Sequence, residues 1–266
     1  MLITNSPVTA ANAVASDVDL VFVDLEIKGK QARQAGRSTV ISGHTLDDVA
    51  RVSAVLPRDR LLVRLNPWDA DSSREVEAAI ERGAGHLMLP MFRGPEELEL
   101  LVRAVDRRCG VIGLLETAEA AQRVGDVARV AGLSRVHVGL NDLHLALRRR
   151  FMFELLIDGT VPRIAEALRA RSVPFGIGGL ARVGEGLVPA ESLLCEHVAL
   201  GSSGAILSRT FHRGGIGGGA LDGAALGAEV KRLRAAIRER RSLSAAALAE
   251  LRADTVARIR RVVDSG

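Results

Sequence analysis

The chain has 266 residues, of which 47% are apolar and 26% charged, and a formal net charge of +4. This composition suits one large globular domain and excludes wholesale disorder, and no run approaches the ~18 consecutive apolar residues of a membrane span. The pI of 9.8 suggests nucleic acid, but all 36 basic residues except Lys28, Lys30 and Lys231 are arginine, often near acids, and aromatics at 3% are too few for base stacking.

Short apolar runs rich in Val, Leu and Ile recur along the chain and alternate with helical patterns. LITN (2–5) comes first, then LVFVDLE (20–26). A helix follows, opened by the capping-box pattern Thr45-Leu46-Asp47-Asp48. LLVRLN (61–66) precedes a helix with the same pattern at Ser72-Ser73-Arg74-Glu75, and Gly83 is placed to end it. After HLMLP (86–90), Pro95 opens a helix whose Leu98, Leu101, Val102 and Val105 recur at one face. The runs VIGLLET (111–117), VHVGLND (136–142), VPFGIGG (173–179) and HVALGSS (197–203) complete a set of eight.

These runs are too short for helices and show little alternation, as expected of strands buried on both faces of a parallel sheet. Eight strands alternating with helices predict an α/β fold, a (β/α)8 TIM barrel over 1–213. An open doubly wound sheet is the alternative, but no GxGxxG opens a helix after the first strand. GGIGGGALDG (214–223) reads as a linker to two extra C-terminal helices, carrying Val230, Leu233 and Ile237, then Leu248, Leu251, Val256, Ile259 and Val263. The segment 214–266 is expected to pack on the barrel or on a neighbouring subunit of a homo-oligomer.

Barrels of this kind do chemistry at the C-terminal ends of their strands. The polar residues placed there are Asp24, Glu26 and Lys28, then Arg64 and Asn66, Glu116, and Asn141 with Asp142. Glu116 and Asp142 end adjacent strands. Two neighbouring carboxylates resist joint ionisation unless a cation lies between them, and hard oxygen ligands suit Mg²⁺ or Mn²⁺. The alternative pairs Glu116 with an arginine and makes Asp142 a helix cap. Arg64 ends an apolar strand, so it meets either an anionic ligand or a salt bridge from Asp24 or Glu26. The glycine turns 176–179 and 201–204 follow the last two runs and read as tight turns or a phosphate cradle. FMFELLIDGT (151–160) walls a pocket or an interface.

Among the histidines, His86 and His137 fall in strands and read as structural, His197 flanks one, His144 lies two residues after Asp142, and His212 is in a late loop. No HxxxH or HExxH spacing supports a zinc hydrolase. Cys109 and Cys195 lack a CxxC partner and read as packing residues in a reducing cytoplasm. The start, MLITNSPVTAANAV, has no basic segment followed by a long apolar run.

The blocks VFVDLE (21–26), LLVRLN (61–66), GAGHLMLPMF (83–92), GLLET (113–117) and VHVGLNDLHLAL (136–147) together resemble the HpcH/HpaI aldolase and citrate lyase β-subunit family. The resemblance covers about residues 1–210. It implies a metal-dependent lyase on a (β/α)8 barrel, with Glu116 and Asp142 as metal ligands and Arg64 on the keto or enolate oxygen. It also implies that the backbone at Gly139, Leu140, Asn141 and Asp142 holds the carboxylate of a pyruvate-like 2-oxo acid, with an aldehyde as second reactant. The sequence departs from the family pattern where Ile27 replaces a histidine and Leu114 a glutamine, so the usual base is missing. His44, in the loop after the second strand, is the expected catalytic replacement; a metal-bound water, Glu26 and Lys28 are the others. A Schiff-base enzyme using Lys28 or Lys30, an acyl-CoA lyase, and a non-catalytic barrel are competing readings.

Overall fold

The computed structural model describes residues 1–29, 43–212 and 222–265. Seven strands form one parallel sheet in sequence order: β1 (Leu2–Ile3), β2 (Val21–Asp24), β3 (Leu61–Arg64), β4 (His86–Leu89), β5 (Gly110–Leu115), β6 (Leu133–Val138) and β7 (Phe175–Ile177). A short pair, β8 (Gly179–Leu180) with β9 (Ile206–Leu207), continues the curl. Ile177 N–H donates to Gly204 O at 3.0 Å, and Leu207 N–H to Met1 O at 2.8 Å. The last strand is thereby tied to both β7 and β1, and the sheet closes into the expected barrel.

The apolar runs form strands because they bury both faces. Phe22, Leu62, Met88, Ile112 and Leu114 fill the barrel interior together with Met1. Val21, Val23, Leu61, Val63, Leu87 and Leu89 point outward to the larger core under the helices. Near-continuous apolar runs serve this two-sided burial better than alternation does.

The surrounding helices are α1 (Pro7–Ala15), α2 (Leu46–Ser53), α3 (Ser72–Glu81), α4 (Pro95–Val105), α5 (Ala118–Gln122), α6 (Val124–Val127), α7 (Leu140–Ala146), α8 (Glu154–Ile157), α9 (Thr160–Arg169) and α10 (Ala190–Leu200). The Thr45 capping box forms, with Thr45 and Asp48 exchanging side-chain and backbone bonds. Pro95 sits in the first turn of α4 and Leu98, Leu101 and Val105 are buried, as the spacing predicts. Gly83 takes φ of +100° just past α3.

Two expectations need correction. The Ser72 pattern is no capping box: the N-cap of α3 is Asp71, and Glu75 instead binds Asn66. The run 197–203 is not the eighth strand. His197–Leu200 ends α10, and Gly201, with φ of +78°, stops that helix; the strand follows at Ile206–Leu207. A short apolar run cannot by itself distinguish a buried strand from the last turn of a buried helix. The turn 201–204 therefore precedes the eighth strand and lies away from the strand ends where a phosphate would bind.

The C-terminal pair, α11 (Gly223–Arg241) and α12 (Ala245–Ser265), packs on its own barrel: α11 against α1 and α10, α12 against α10 and α8. Most of the glycine-rich linker lies outside the described residues, and Gly223 already belongs to α11. The segment 151–160 contributes buried Phe153, Leu155 and Leu156 to the core, with Phe151 and Phe153 edge to face at 5.2 Å. No described helix is long and apolar enough to cross a membrane.

Candidate functional site

The strand ends place three carboxylates, Asp24, Glu26 and Glu116, around the Arg64 guanidinium. Arg64, the last residue of β3, makes a two-pronged bond to Asp24 at the end of β2: Nε to Oδ1 and Nη2 to Oδ2, both 2.8 Å. Its Nε also lies 3.4 Å from Glu26 Oε2, and the guanidinium stacks 5.3 Å from the centre of the Phe22 ring. The salt-bridge alternative for Arg64 is thus realised. It does not exhaust the group, because Nη1 makes no hydrogen bond among the described residues. Burial opposes the charge on Arg64, but the Asp24 hydrogen bond and the charges of Asp24, Glu26 and Glu116 outweigh it and hold the guanidinium above its ordinary pKa.

Glu116 follows β5 directly and is 3% exposed. Its Oε1 accepts the Met91 N–H at 3.2 Å. Met91 holds a left-handed φ of +56°, a strained backbone for a non-glycine residue, and that turn aims its amide at the carboxylate. Burial pushes the Glu116 pKa up to about 8; Arg64 and the Met91 amide pull it down, while the negative charges of Asp142 and Glu26 push it further up. Asp142 is not at a strand end but in the first turn of α7, after β6. The two expected metal ligands nevertheless act on one another, and no arginine among the described residues forms an ion pair with either.

Gly139 is the N-cap of α7, and no side chain caps that helix. The first backbone N–H groups of a helix have no partner within it, so those of Leu140, Asn141 and Asp142 face outward. A Cβ on Gly139 would stand 2.8 Å from Glu116 Oε2 and 3.2 Å from Leu114 Cδ1, so only glycine lets this turn approach the carboxylate so closely.

His44 also reaches the rim: its Nδ1 accepts the Asp24 N–H at 3.0 Å. That bond fixes the proton of neutral His44 on Nε2, so the ring can donate a hydrogen bond but cannot take up a proton while the bond lasts. His44 thus stands at the rim with its Nδ1 engaged by the backbone of Asp24.

Sequence reasoning missed how the loop after β2 is braced. Asn66 Oδ1 accepts the N–H groups of both Ile27 and Lys28 at 3.0 Å, and its Nδ2 donates to Glu75 Oε1 at 2.7 Å. The signal available was Asn66 itself, a polar residue ending an apolar strand. Lys28 pairs with Asp69 at 2.5 Å, and that hydrogen bond raises its pKa, the opposite of what an imine-forming lysine needs. Lys30 lies outside the described residues. His144 Nδ1 bonds the Leu140 carbonyl within its own helix, and His137 is enclosed in β6. Cys109 stays a thiol, since burial pushes its pKa up to about 11. Among the described residues, no three His, Cys, Asp or Glu side chains form a closed metal-ligand set.

No curated protein sequence matches this chain. Among solved structures, it is similar to protein CitE from Mycobacterium tuberculosis in complex with magnesium and pyruvate, with a TM-score of 0.63, 18% identity, and coverage of 94% of this chain and 95% of that one. A complex of the same protein with magnesium, acetoacetate and coenzyme A gives a TM-score of 0.60 and 19% identity, covering 96% and 85%. RipC from Yersinia pestis gives a TM-score of 0.55 and 19% identity, covering 93% and 96%. At these identities the likeness is one of fold. The sequence profile of the HpcH/HpaI aldolase/citrate lyase family matches residues 2–154, the part that contains Asp24, Glu26, Arg64, Glu116 and Asp142, and the chain belongs to that family of metal-dependent lyases.

Proposed function

We propose that the chain is a divalent-metal-dependent aldolase that cleaves or forms 4-hydroxy-2-oxo acids through a pyruvate enolate. The observation that carries this reading is the charge imbalance at the rim: Asp24, Glu26 and Glu116 surround Arg64, Asp142 acts on Glu116, and Glu116 is held protonation-prone by burial and by its acidic neighbours. A divalent cation resolves that imbalance, and the donor set fits Mg²⁺ or Mn²⁺. Two carboxylates leave the remaining positions for water and a chelating substrate, the usual habit of Mg²⁺. The cation would supply Lewis acidity to the carboxylate and keto oxygens of the 2-oxo acid.

The chain's own groups do the rest in this reading. The open amides at Leu140, Asn141 and Asp142 receive the substrate carboxylate. Asp24 fixes the plane of Arg64 so that Nη1 faces the keto oxygen, where negative charge gathers as the C3–C4 bond breaks. The 4-hydroxyl proton goes to Glu26, the carboxylate beside the same guanidinium, and the aldehyde leaves. The bond's electron pair rests on the enolate until C3 is protonated to give pyruvate. His44 Nε2–H offers the departing aldehyde oxygen a hydrogen bond. Buried Leu114 gives the chamber an apolar wall where the family pattern has a polar residue.

The test is release of pyruvate from a 4-hydroxy-2-oxo acid. EDTA should abolish it and Mg²⁺ or Mn²⁺ restore it, while full activity in Glu116→Ala would overturn the proposal. Glu26→Gln should lower kcat by about 10²–10⁴ with little change in pyruvate binding, the range of a general base. Acyl-CoA lyase activity is the second reading, favoured by the exposed Ile27 in place of a polar residue. Thermal protection by coenzyme A, together with cleavage of a CoA ester and not of the free acid, would select it.

A further inference from the structure

A cavity of about 220 Å³ lies toward the other end of the barrel, bordered by Met1, Asp19 and Ala205, residues that precede or begin strands. It is smaller than the ~300–1,000 Å³ of drug-sized sites, so its occupant would be a small molecule. One face of α11 lines it with Val230, Leu233 and Ile237, and on the same face with Arg234, Arg238 and Arg241, residues three or four apart. Val198 of α10 adds to the apolar wall opposite.

The charges there are unbalanced. Arg234 is held by Asp19 and by the Asp17 carbonyl. Arg238 and Arg241 are exposed at the mouth and form no ion pair among the described residues. The acids at the rim are Asp17 and Asp19, and Asp19 is already engaged by Arg234. His197 Nδ1 bonds Ser202 Oγ at 3.0 Å, and Ser202 donates to Gly204 O at 3.2 Å, so both are committed within the wall.

We propose that this cavity binds a small amphipathic carboxylate. Its short acyl chain lies against Val198, Val230 and Leu233, and its head group meets the Arg238–Arg241 pair. The site is separate from the metal-binding strand ends and does not depend on their chemistry.

Hexanoate is the probe, titrated calorimetrically into the full chain in EDTA, with 1-hexanol as the uncharged control. Saturable binding of hexanoate, at least about tenfold tighter than 1-hexanol, is expected from the paired arginines. Arg238→Glu with Arg241→Glu, both at exposed positions, should weaken it at least about tenfold. Val198→Phe, which fills the cavity, should abolish it. Glu116→Gln should leave it unchanged, which separates this site from the one at the strand ends. Absence of saturation, equal binding of 1-hexanol, insensitivity to both cavity variants, or loss in Glu116→Gln would each overturn the proposal.

Discussion

At the residue scale, the site depends on geometry that a conservative substitution would lose. Arg64 presents Nε and Nη2 to the two oxygens of Asp24, a planar match that lysine cannot make. Arg64→Lys should therefore lower kcat by about 10²–10³, the cost of one misplaced oxyanion donor, with a smaller change in KM; unchanged steady-state kinetics would contradict the role. Glu116 is costly to the fold, since burial disfavours its charge. Glu116→Gln should lose magnesium binding by calorimetry. In EDTA it should melt higher than the parent, each kcal/mol relieved being worth about 2–4 °C at this size. Arg64 and Glu116 were legible in the sequence because polar residues ending apolar runs are conspicuous. The tautomer of His44 was not, because it depends on an Asp24 amide twenty residues away.

At the element scale, each piece of backbone that shapes the site is fastened by a local device. Thr45 caps α2 immediately after His44, so Thr45→Ala should cost about 1 kcal/mol in urea denaturation. The helix α12 is held by Arg252, which forks onto Glu196 of α10 with two bonds of 3.0 Å. Glu196 is 1% exposed, while the Arg252 side chain is 39% exposed. Arg252→Ala should cost about 2–3 kcal/mol, less than a fully enclosed pair because solvent screens the arginine. The double variant Arg252→Met, Glu196→Leu should recover most of that loss. Helix starts were legible where the cap lies within four residues. The Ser72 pattern misled because Glu75 prefers Asn66, a partner supplied by the segment just after β3 rather than by its own helix.

At the scale of the whole molecule, closure of the barrel encloses His137 in β6 with 0% exposure. Burial brings its pKa down to about 3, followed by the effect of neighbouring positive charge. The folded state therefore binds a proton less readily than the unfolded chain, whose histidine titrates near its ordinary value of 6.5. The stability from neutral His137 is whole above that value and is lost as pH falls toward 3. By pH 5 this residue alone should remove about 2 kcal/mol. Melting followed from pH 7.5 to 5 should show the decline, and His137→Gln should flatten it; an equal slope in the variant would refute the assignment.

The sequence by itself determined the strand and helix alternation, the parallel barrel, the family, and the ring of polar residues at the strand ends. The family follows from the five sequence blocks that resemble it; the rest follows from periodicity and composition within short windows, where the cost of burying or exposing each side chain is already decided. The tertiary structure alone decided that Ile206–Leu207, not 197–203, is the strand that closes the ring. It also decided that Asp24 orients Arg64, that Asn66 braces the loop after β2, and that α11 and α12 return to their own barrel. Each of these is a pairing between residues far apart in the chain, and such pairings become favourable only when the closed sheet brings both partners out of water together.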